Sequence, residues 1–394
     1  MGTNFNVGSM NAINTNPETK KSSKKDDKNN DLKKKLLLFG GIIVGGFLLL
    51  FLVMFLVSAF STKQYSYDDM EEIMKKAAVQ YFKANKDKLP ANENQMVEID
   101  VATLAANEYM KEMVEYTGEE LTCTGKVSVQ TNGEDYLYVP HLDCGEEYVT
   151  QPFYKVVTEK TVTQGYGLYE SNGSYVFRGE EVNNYLQLDQ SLWRIVKVTD
   201  DHKMLLISDV KSFEGRPWDN RYNQSVNYNA GINEYSASRM RTYLDEYYDT
   251  NEENKAILSD KDRARLTKFD LCIGKRDVAD GSKDNSVECS QTLANQKIGL
   301  LTVADYINAS IDSACTASTS YSCQNYNYLV KDYRWWLATA VNGSTSQAFG
   351  VDTNGVVEVL QSSNFSQMRP IVMLSESVLF KSGKGTLKKP YKIK

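Results

Sequence analysis

Hydropathy along this 394-residue chain changes period three times. Residues 36–60 (LLLFGGIIVGGFLLLFLVMFLVSAF) form one apolar run without a charged side chain. About 20 apolar residues in a helix cross a hydrocarbon core, so the run predicts a transmembrane helix. It is longer than the roughly 7–15 apolar residues of a secretory signal peptide. Ser58-Ala59-Phe60-Ser61 is also a poor cleavage site, so an uncleaved anchor is preferred. Met70, Ile73, Met74, Ala77, Tyr81 and Phe82 then recur at helical spacing behind Ser66-x-x-Asp69, a variant capping box. Residues 94–100 alternate as a strand, 103–110 read as helix with Gly118 as a stop, and 126–130 with 135–139 read as a hairpin around Asn132-Gly133.

Farther along, 154–157, 161–163 and 175–177 read as strands. Residues 192–198 and 203–208 form a strand pair, and 239–248 an amphipathic helix with Met240, Tyr243, Leu244 and Tyr247 inward. A short helix at 303–309 precedes strands at 335–337, 348–351, 356–360 and 368–374. Pro370 marks the last as an edge strand or a strand start. The pattern predicts an α+β protein in five parts: a disordered basic tail (1–35), the transmembrane helix (36–60), a small α+β stalk (61–150), connecting strands (151–184) and a distal α+β domain (185–394).

Charge orients this plan. Lys33, Lys34 and Lys35 abut the apolar run on its N-terminal side, while Asp68, Asp69, Glu71 and Glu72 follow it. Flanking positive charge stays cytoplasmic, so the chain is expected in the cell membrane with its N-terminus inside and its bulk outside. The net charge of −6 combines a basic tail with an acidic outer part, which argues against nucleic acid as ligand. All six cysteines lie in the outer part. Each pair falls in one local segment, predicting disulfides Cys123–Cys144, Cys272–Cys289 and Cys315–Cys323. With only His141 and His202, the chain lacks the histidines most hydrolase constellations need.

Three stretches carry candidate chemistry. Arg216-Pro217-Trp218-Asp219-Asn220-Arg221-Tyr222 mixes a flat aromatic with charges of both signs, which suits polar ligand recognition or an Arg–Asp brace. Trp335-Trp336 on a strand would send one indole inward and one outward, the outer one free to stack on a sugar or a partner side chain. Asp277, Asp280 and Asp284 offer hard oxygens to Ca²⁺. The EF-hand register fails there, because Arg276 and Val278 would fall at its first and third positions, and a solvated turn held by Cys272–Cys289 is preferred. No other cofactor is expected.

Two resemblances add to this reading. The long helix followed by a small sheet closed by a disulfide resembles pilin-like and pseudopilin-like proteins in architecture, over residues 36–150. The Glu those families carry at the fifth position of the apolar stretch is missing. Trp193-Arg194-Ile195-Val196, Trp335-Trp336-Leu337, Phe349-Gly350-Val351-Asp352-x-x-Gly355, Arg369-Pro370 and the tail from Gly383 to Tyr391 resemble a bacterial extracellular domain family of unknown function. The resemblance implies a C-type-lectin-like or formylglycine-generating-enzyme-like fold over 185–394. That family commonly continues Trp-Trp-Leu with Arg-Ser-Pro, whereas Ala338-Thr339-Ala340 stand here. The leading expectation is a surface-anchored binding protein whose distal domain recognises a glycan, cell-wall polymer or protein. The alternatives are a pilin-like structural assembly, with self-association through Gly40, Gly41, Gly45 and Gly46 in the membrane helix, and a degenerate enzyme of the formylglycine-generating type.

Overall fold

The computed structural model describes residues 46–47, 49–51, 65–92, 95–118, 121–131, 136–189, 191–210, 215–250 and 258–394. The basic tail, most of the apolar run with Gly40, Gly41 and Gly45, and the Asn132-Gly133 turn lie outside the described residues. Among the described residues, no helix is long and apolar enough to cross a membrane. Residues 65–394 form one compact α+β unit with two separate hydrophobic cores.

The first core is built on α1 (Tyr67–Ala84). Ser66 caps it: its hydroxyl accepts from the Asp69 N–H at 3.1 Å, and the Asp69 carboxylate accepts from the Ser66 N–H at 3.1 Å. Both reciprocal bonds of the capping box are therefore made, with Asp in place of the usual Glu or Gln. The stripe Met70, Met74, Ala77, Ala78, Tyr81 and Phe82 is buried. It faces the antiparallel sheet β1 (Met96–Asp100), β2 (Thr124–Thr131) and β3 (Tyr136–Asp143). Asp100 caps α2 (Val101–Ala106), and α3 (Val114–Thr117) ends at Gly118, whose φ of 79° suits glycine. Cys123–Cys144 joins the open ends of the β2–β3 hairpin, as expected.

The second core starts earlier than the sequence pattern places it. Phe153 and Val157, one helical turn apart, are both buried on α4 (Phe153–Thr158). The strand expected at 154–157 is thus a helix, whose buried face is made by Phe153 and Val157 at i, i+4 spacing. Residues 161–163 form no strand. Next, β4 (Gly167–Ser171) and β5 (Ser174–Arg178) join β6 (Tyr185–Leu188), β7 (Ser191–Val198) and β8 (Met204–Ser208) in one sheet. The connecting strands therefore belong to the distal core.

After β9 (Arg216–Pro217) and α5 (Arg239–Asp249), a short α6 (Asp260–Arg263) leads to β10 (Leu266–Thr267). The pair β11 (Phe269–Cys272) and β12 (Thr292–Gln296) follows, then β13 (Gly299–Leu300) and α7 (Val303–Asn308). The second sheet is β14 (Trp335–Ala340), β15 (Gln347–Val351) and β16 (Val357–Gln361). The chain closes with β17 (Phe365–Ser366), β18 (Pro370–Leu374), β19 (Phe380–Ser382) and β20 (Lys392–Ile393).

The large antiparallel sheet runs β10-β18-β8-β7-β5-β4, with β13 also on β18 and β6 on β7. Pro370 starts β18, but that strand is interior, with β8 on one side and β10 and β13 on the other, so the edge alternative is lost. The remaining disulfides, Cys272–Cys289 and Cys315–Cys323, also pair sequential neighbours, and no described cysteine is free.

The residues that carried the family resemblance form the frame of this core. Trp193 has no exposure, and the Arg194 Nε donates to Asn184 Oδ1 at 2.6 Å. Arg369, fully buried, donates to the carbonyls of Ser208 (3.2 Å) and Leu329 (2.8 Å) while its guanidinium lies 4.6 Å from the Trp335 ring. These contacts tie β7, β8, β14 and β18 together, a packing role rather than a surface one.

Candidate functional site

Burial decides which candidate side chains of the second core face water. Trp218, Trp335 and Trp336 all have 0% exposure. The expectation of one outward indole at Trp335-Trp336 fails because β14 is covered on both faces, so alternation leads from one packed layer to another. The Trp336 ring stands edge-on to Trp218 at 5.7 Å, and its Nε1 donates to the Arg216 carbonyl at 2.9 Å. Trp218 in turn packs edge-on against Tyr235 at 5.5 Å. Trp218 and Trp336 are the floor under a loop, not its surface, while Trp335 packs in the other layer against Tyr306 and Arg369.

That loop, residues 215–238, is wound around Asp219. The Asp219 side chain has no exposure, and it accepts from the N–H groups of Arg221 (2.9 Å) and Arg239 (3.1 Å) and from the Arg221 Nε (2.9 Å). Arg221 also donates to the Ala237 carbonyl, which closes the loop onto the start of α5. Burial alone would raise the Asp219 carboxyl, but the Arg221 guanidinium and the N–H groups of Arg221 and Arg239 outweigh it and hold it below its ordinary value. Of the two alternatives for this stretch, the Arg–Asp brace is thus present. Gly231 is fixed by contact: at φ +74° a Cβ there would lie 1.9 Å from the Asp219 carbonyl oxygen.

Above the floor the loop presents rings to water. Tyr222 is 55% exposed, Tyr228 49% and Phe365, on β17 opposite Pro217, 67%. The two tyrosines are tied into the loop and to β16 by hydrogen bonds. The Tyr222 hydroxyl donates to Asn227, Asn223 bridges to Tyr228, and the Tyr228 hydroxyl accepts from Gln361 Nε2 at 2.6 Å. Arg216 and Arg239 are both exposed. The Arg239 Nη1 donates to Asn220 at 2.6 Å, and the Arg216 guanidinium lies 5.6 Å from the Tyr243 ring. Sequence reasoning found the loop and missed its exposed rings, since no periodicity fixes side-chain direction in irregular backbone.

The acidic loop has a different organiser. Arg276, fully buried, donates to Glu288 (2.7 Å), to Ser318 (2.8 Å) and to Asp280 (3.2 Å). Asp277 accepts from Asn342 at 2.9 Å, and Asp284 from the Ser286 hydroxyl at 2.7 Å. The three carboxylates sit in separate hydrogen-bond sets, and among the described residues no group of three His, Cys, Asp or Glu side chains is placed to hold a metal ion. Of the three, Asp280 is the one that pairs with the buried Arg276 guanidinium.

The second core is thus a disulfide-pinned α+β assembly that carries a loop with exposed aromatic rings. Residues 200–376 match a family described as a domain of unknown function, DUF6273. The matched stretch runs from the β7–β8 turn to just past β18 and contains the whole aromatic loop. No curated protein and no solved structure matches the chain.

Proposed function

We propose that this is a cell-surface binding protein, anchored by the apolar helix at 36–60 with its N-terminus inside and its bulk outside. The ligand is an extracellular polymer or protein met by the 215–238 loop. The observation that carries the reading is the pair of exposed rings, Tyr222 and Tyr228, on a loop wound around the buried Asp219, with Phe365 exposed on β17 where that strand pairs with the start of the loop. Rings held on prepaid backbone bind without a large ordering cost, and aromatic anchors dominate contact surfaces. The helix over a disulfide-closed sheet supports reading residues 61–150 as a pilin-like stalk. Two sheets with a long surface loop between them support the C-type-lectin-like reading of the distal part.

Binding rather than catalysis is supported by the settings of the nucleophiles and bases. Every cysteine is disulfide-bonded, and His202 stacks on Tyr154 at 4.2 Å in a hairpin turn. Burial holds the His141 imidazole below its ordinary value, with Lys126 nearby adding to the shift.

The test is binding of the full chain, purified in mild detergent, to arrays of glycans, cell-wall polymers and surface proteins. Saturable binding that Tyr222→Ala with Tyr228→Ala weakens at least tenfold is expected. Binding unchanged in that double variant would remove the loop from the reading.

A further inference from the structure

Lys197, on β7, and Asn285, in the acidic loop, meet on a single carboxylate oxygen. The Lys197 Nζ donates to Asp305 Oδ1 at 2.8 Å, and the Asn285 Nδ2 donates to the same oxygen at 2.7 Å. The Asp305 side chain, on α7, is 6% exposed and that of Lys197 26%. The other end of the Asn285 amide is held by the buried Thr302, whose hydroxyl donates to Asn285 Oδ1 at 2.6 Å. That hydroxyl also lies 2.9 Å from Asp305 Oδ2. It has one proton for two acceptors; given to Asn285, it leaves the Oδ2 contact open for a proton carried by Asp305 itself. The loop is fixed at this point. Glu288 accepts from the Ala304 N–H of α7 at 3.1 Å, and the Cys289 N–H donates to the Asn285 carbonyl at 2.8 Å. A lysine–carboxylate contact alone is an ordinary ion pair, as at Glu71, which accepts from Lys394 and two hydroxyls. At Asp305 the third member is a side-chain amide with both its nitrogen and its oxygen engaged.

We propose that Lys197 and Asn285 react to form an intramolecular isopeptide bond, with Asp305 moving the protons. The modification is independent of what the 215–238 loop binds. Acyl transfer needs a nucleophile, a polarised carbonyl and a group that carries protons between nucleophile and leaving group. Burial alone would raise the Asp305 carboxyl, but Lys197, Asn285 and Thr302 outweigh it and hold it below its ordinary value, so the pair rests charged. The reaction opens as one Nζ proton passes to Asp305 and leaves a neutral amine beside the amide. Nζ then attacks Asn285 Cγ, and the Thr302 hydroxyl supports the negative charge that develops on Oδ1. Asp305 gives its proton to Nδ2 and takes a second one from Nζ. The Cγ–Nδ2 bond breaks, the Nζ–Cγ amide remains, and ammonia departs as ammonium with the proton then on Asp305. One lysine ammonium and one asparagine amide give one secondary amide and one ammonium, so no outside reactant is consumed. A single turnover per chain is all that is required, so a minor neutral population of the pair suffices. The bond ties β7 to the loop that Cys272–Cys289 already pins. It constrains the unfolded chain as a disulfide does, and reduction does not open it.

The experiment is mass spectrometry of the full chain, purified in mild detergent, held at neutral pH, then reduced and unfolded. Wild type is expected to be lighter than its sequence mass by one ammonia. Trypsin should fail to cut after Lys197 and should release the Lys197 and Asn285 peptides as one linked species. Asn285→Ala and Asp305→Ala should each restore the full mass and the cleavage after residue 197. Lys197→Arg keeps a cation opposite Asp305 and supplies no nucleophilic amine, so it should restore the full mass in a chain that still folds. Full sequence mass in wild type overturns the proposal, and the cluster is then polar packing between β7, the loop and α7. An ammonia deficit that persists in Lys197→Arg overturns it as well. So does a deficit that maps to an Asn-Gly pair such as Asn354-Gly355, where ring closure of the asparagine releases the same molecule. A linked peptide that still forms in Asp305→Ala overturns the role given to Asp305.

Discussion

Asp219 shows how a single buried carboxylate sets the shape of a surface. It holds two backbone N–H groups and a guanidinium, so Asp219→Asn leaves Arg221 without its counter-charge. Breaking a buried pair costs about 3–5 kcal/mol, and the 44% exposure of Arg221 lets water take part of that, leaving about 2–3 kcal/mol. The carboxyl is held below its ordinary value, so its contribution is complete above the unfolded value of about 3.9 and fades as pH falls through the lower folded value. Urea midpoints of the wild type and Asp219→Asn should therefore differ near neutrality and converge in acid; a constant gap would show that the charge is not the cause. The neighbouring Trp218 makes the complementary point. Trp218→Ala empties a fully buried site and should cost about 3–5 kcal/mol, whereas Tyr222→Ala should change stability by less than about 0.5 kcal/mol. Thermal melts of the two variants check this, and only the tyrosine variant then reports on binding. The loop's composition was legible as an Arg–Asp brace or a recognition stretch, and the brace is there. The tryptophan was the conspicuous residue, yet its size and apolarity are what draw it under the loop.

At the scale of elements, sequence pattern works where an element has one wet face. The α1 stripe, the β2–β3 hairpin and α5 all lie where periodicity places them. It fails where that asymmetry is lost. The six residues of β14 are buried on both faces, so alternation carries no direction, and the one turn of α4 is too short for its β-branched residues to reveal a helix. The disulfides were legible because each closes a local segment, and they yield a prediction of their own. Cys123–Cys144 spans 21 residues, and closing a loop of about that size stabilises by about 3 kcal/mol through the unfolded chain. Cys123→Ala with Cys144→Ala should lower the denaturation free energy by about that amount, measured in urea. Thiol titration of unreduced, denatured wild type should find no free thiol; two reactive thiols would remove one bridge.

Across the whole compact unit, the least legible feature is the seam between the two cores. Glu71 on α1 is 2% exposed and accepts from the Tyr148 hydroxyl at 2.7 Å, from Thr150 and from Lys394, which lies 323 positions away. Lys394 also pairs with Asp68 at 2.6 Å, and Tyr67 stacks on Tyr148 at 4.3 Å. No periodicity reports a contact of that separation, and Glu71 in the sequence is simply an acidic residue in a helix. Burial alone would lower the Lys394 ammonium, but its bonds to Asp68, Glu71 and Tyr148 prevail and hold it above its ordinary value. The contribution of this pairing is therefore complete below the unfolded value of about 10.4 and lost only as pH rises through the higher folded value, so the seam stays closed through the neutral range. Glu71→Ala removes the acceptor that three groups share and leaves Lys394 and the Tyr148 and Thr150 hydroxyls to find water. The two cores, the first with one disulfide and the second with two, should then unfold separately. Calorimetry should resolve two transitions in place of one, and protease should cut the 145–152 segment at least tenfold faster at neutral pH. A single unshifted transition would show that the two cores stay coupled without the ion cluster of Glu71, Asp68 and Lys394.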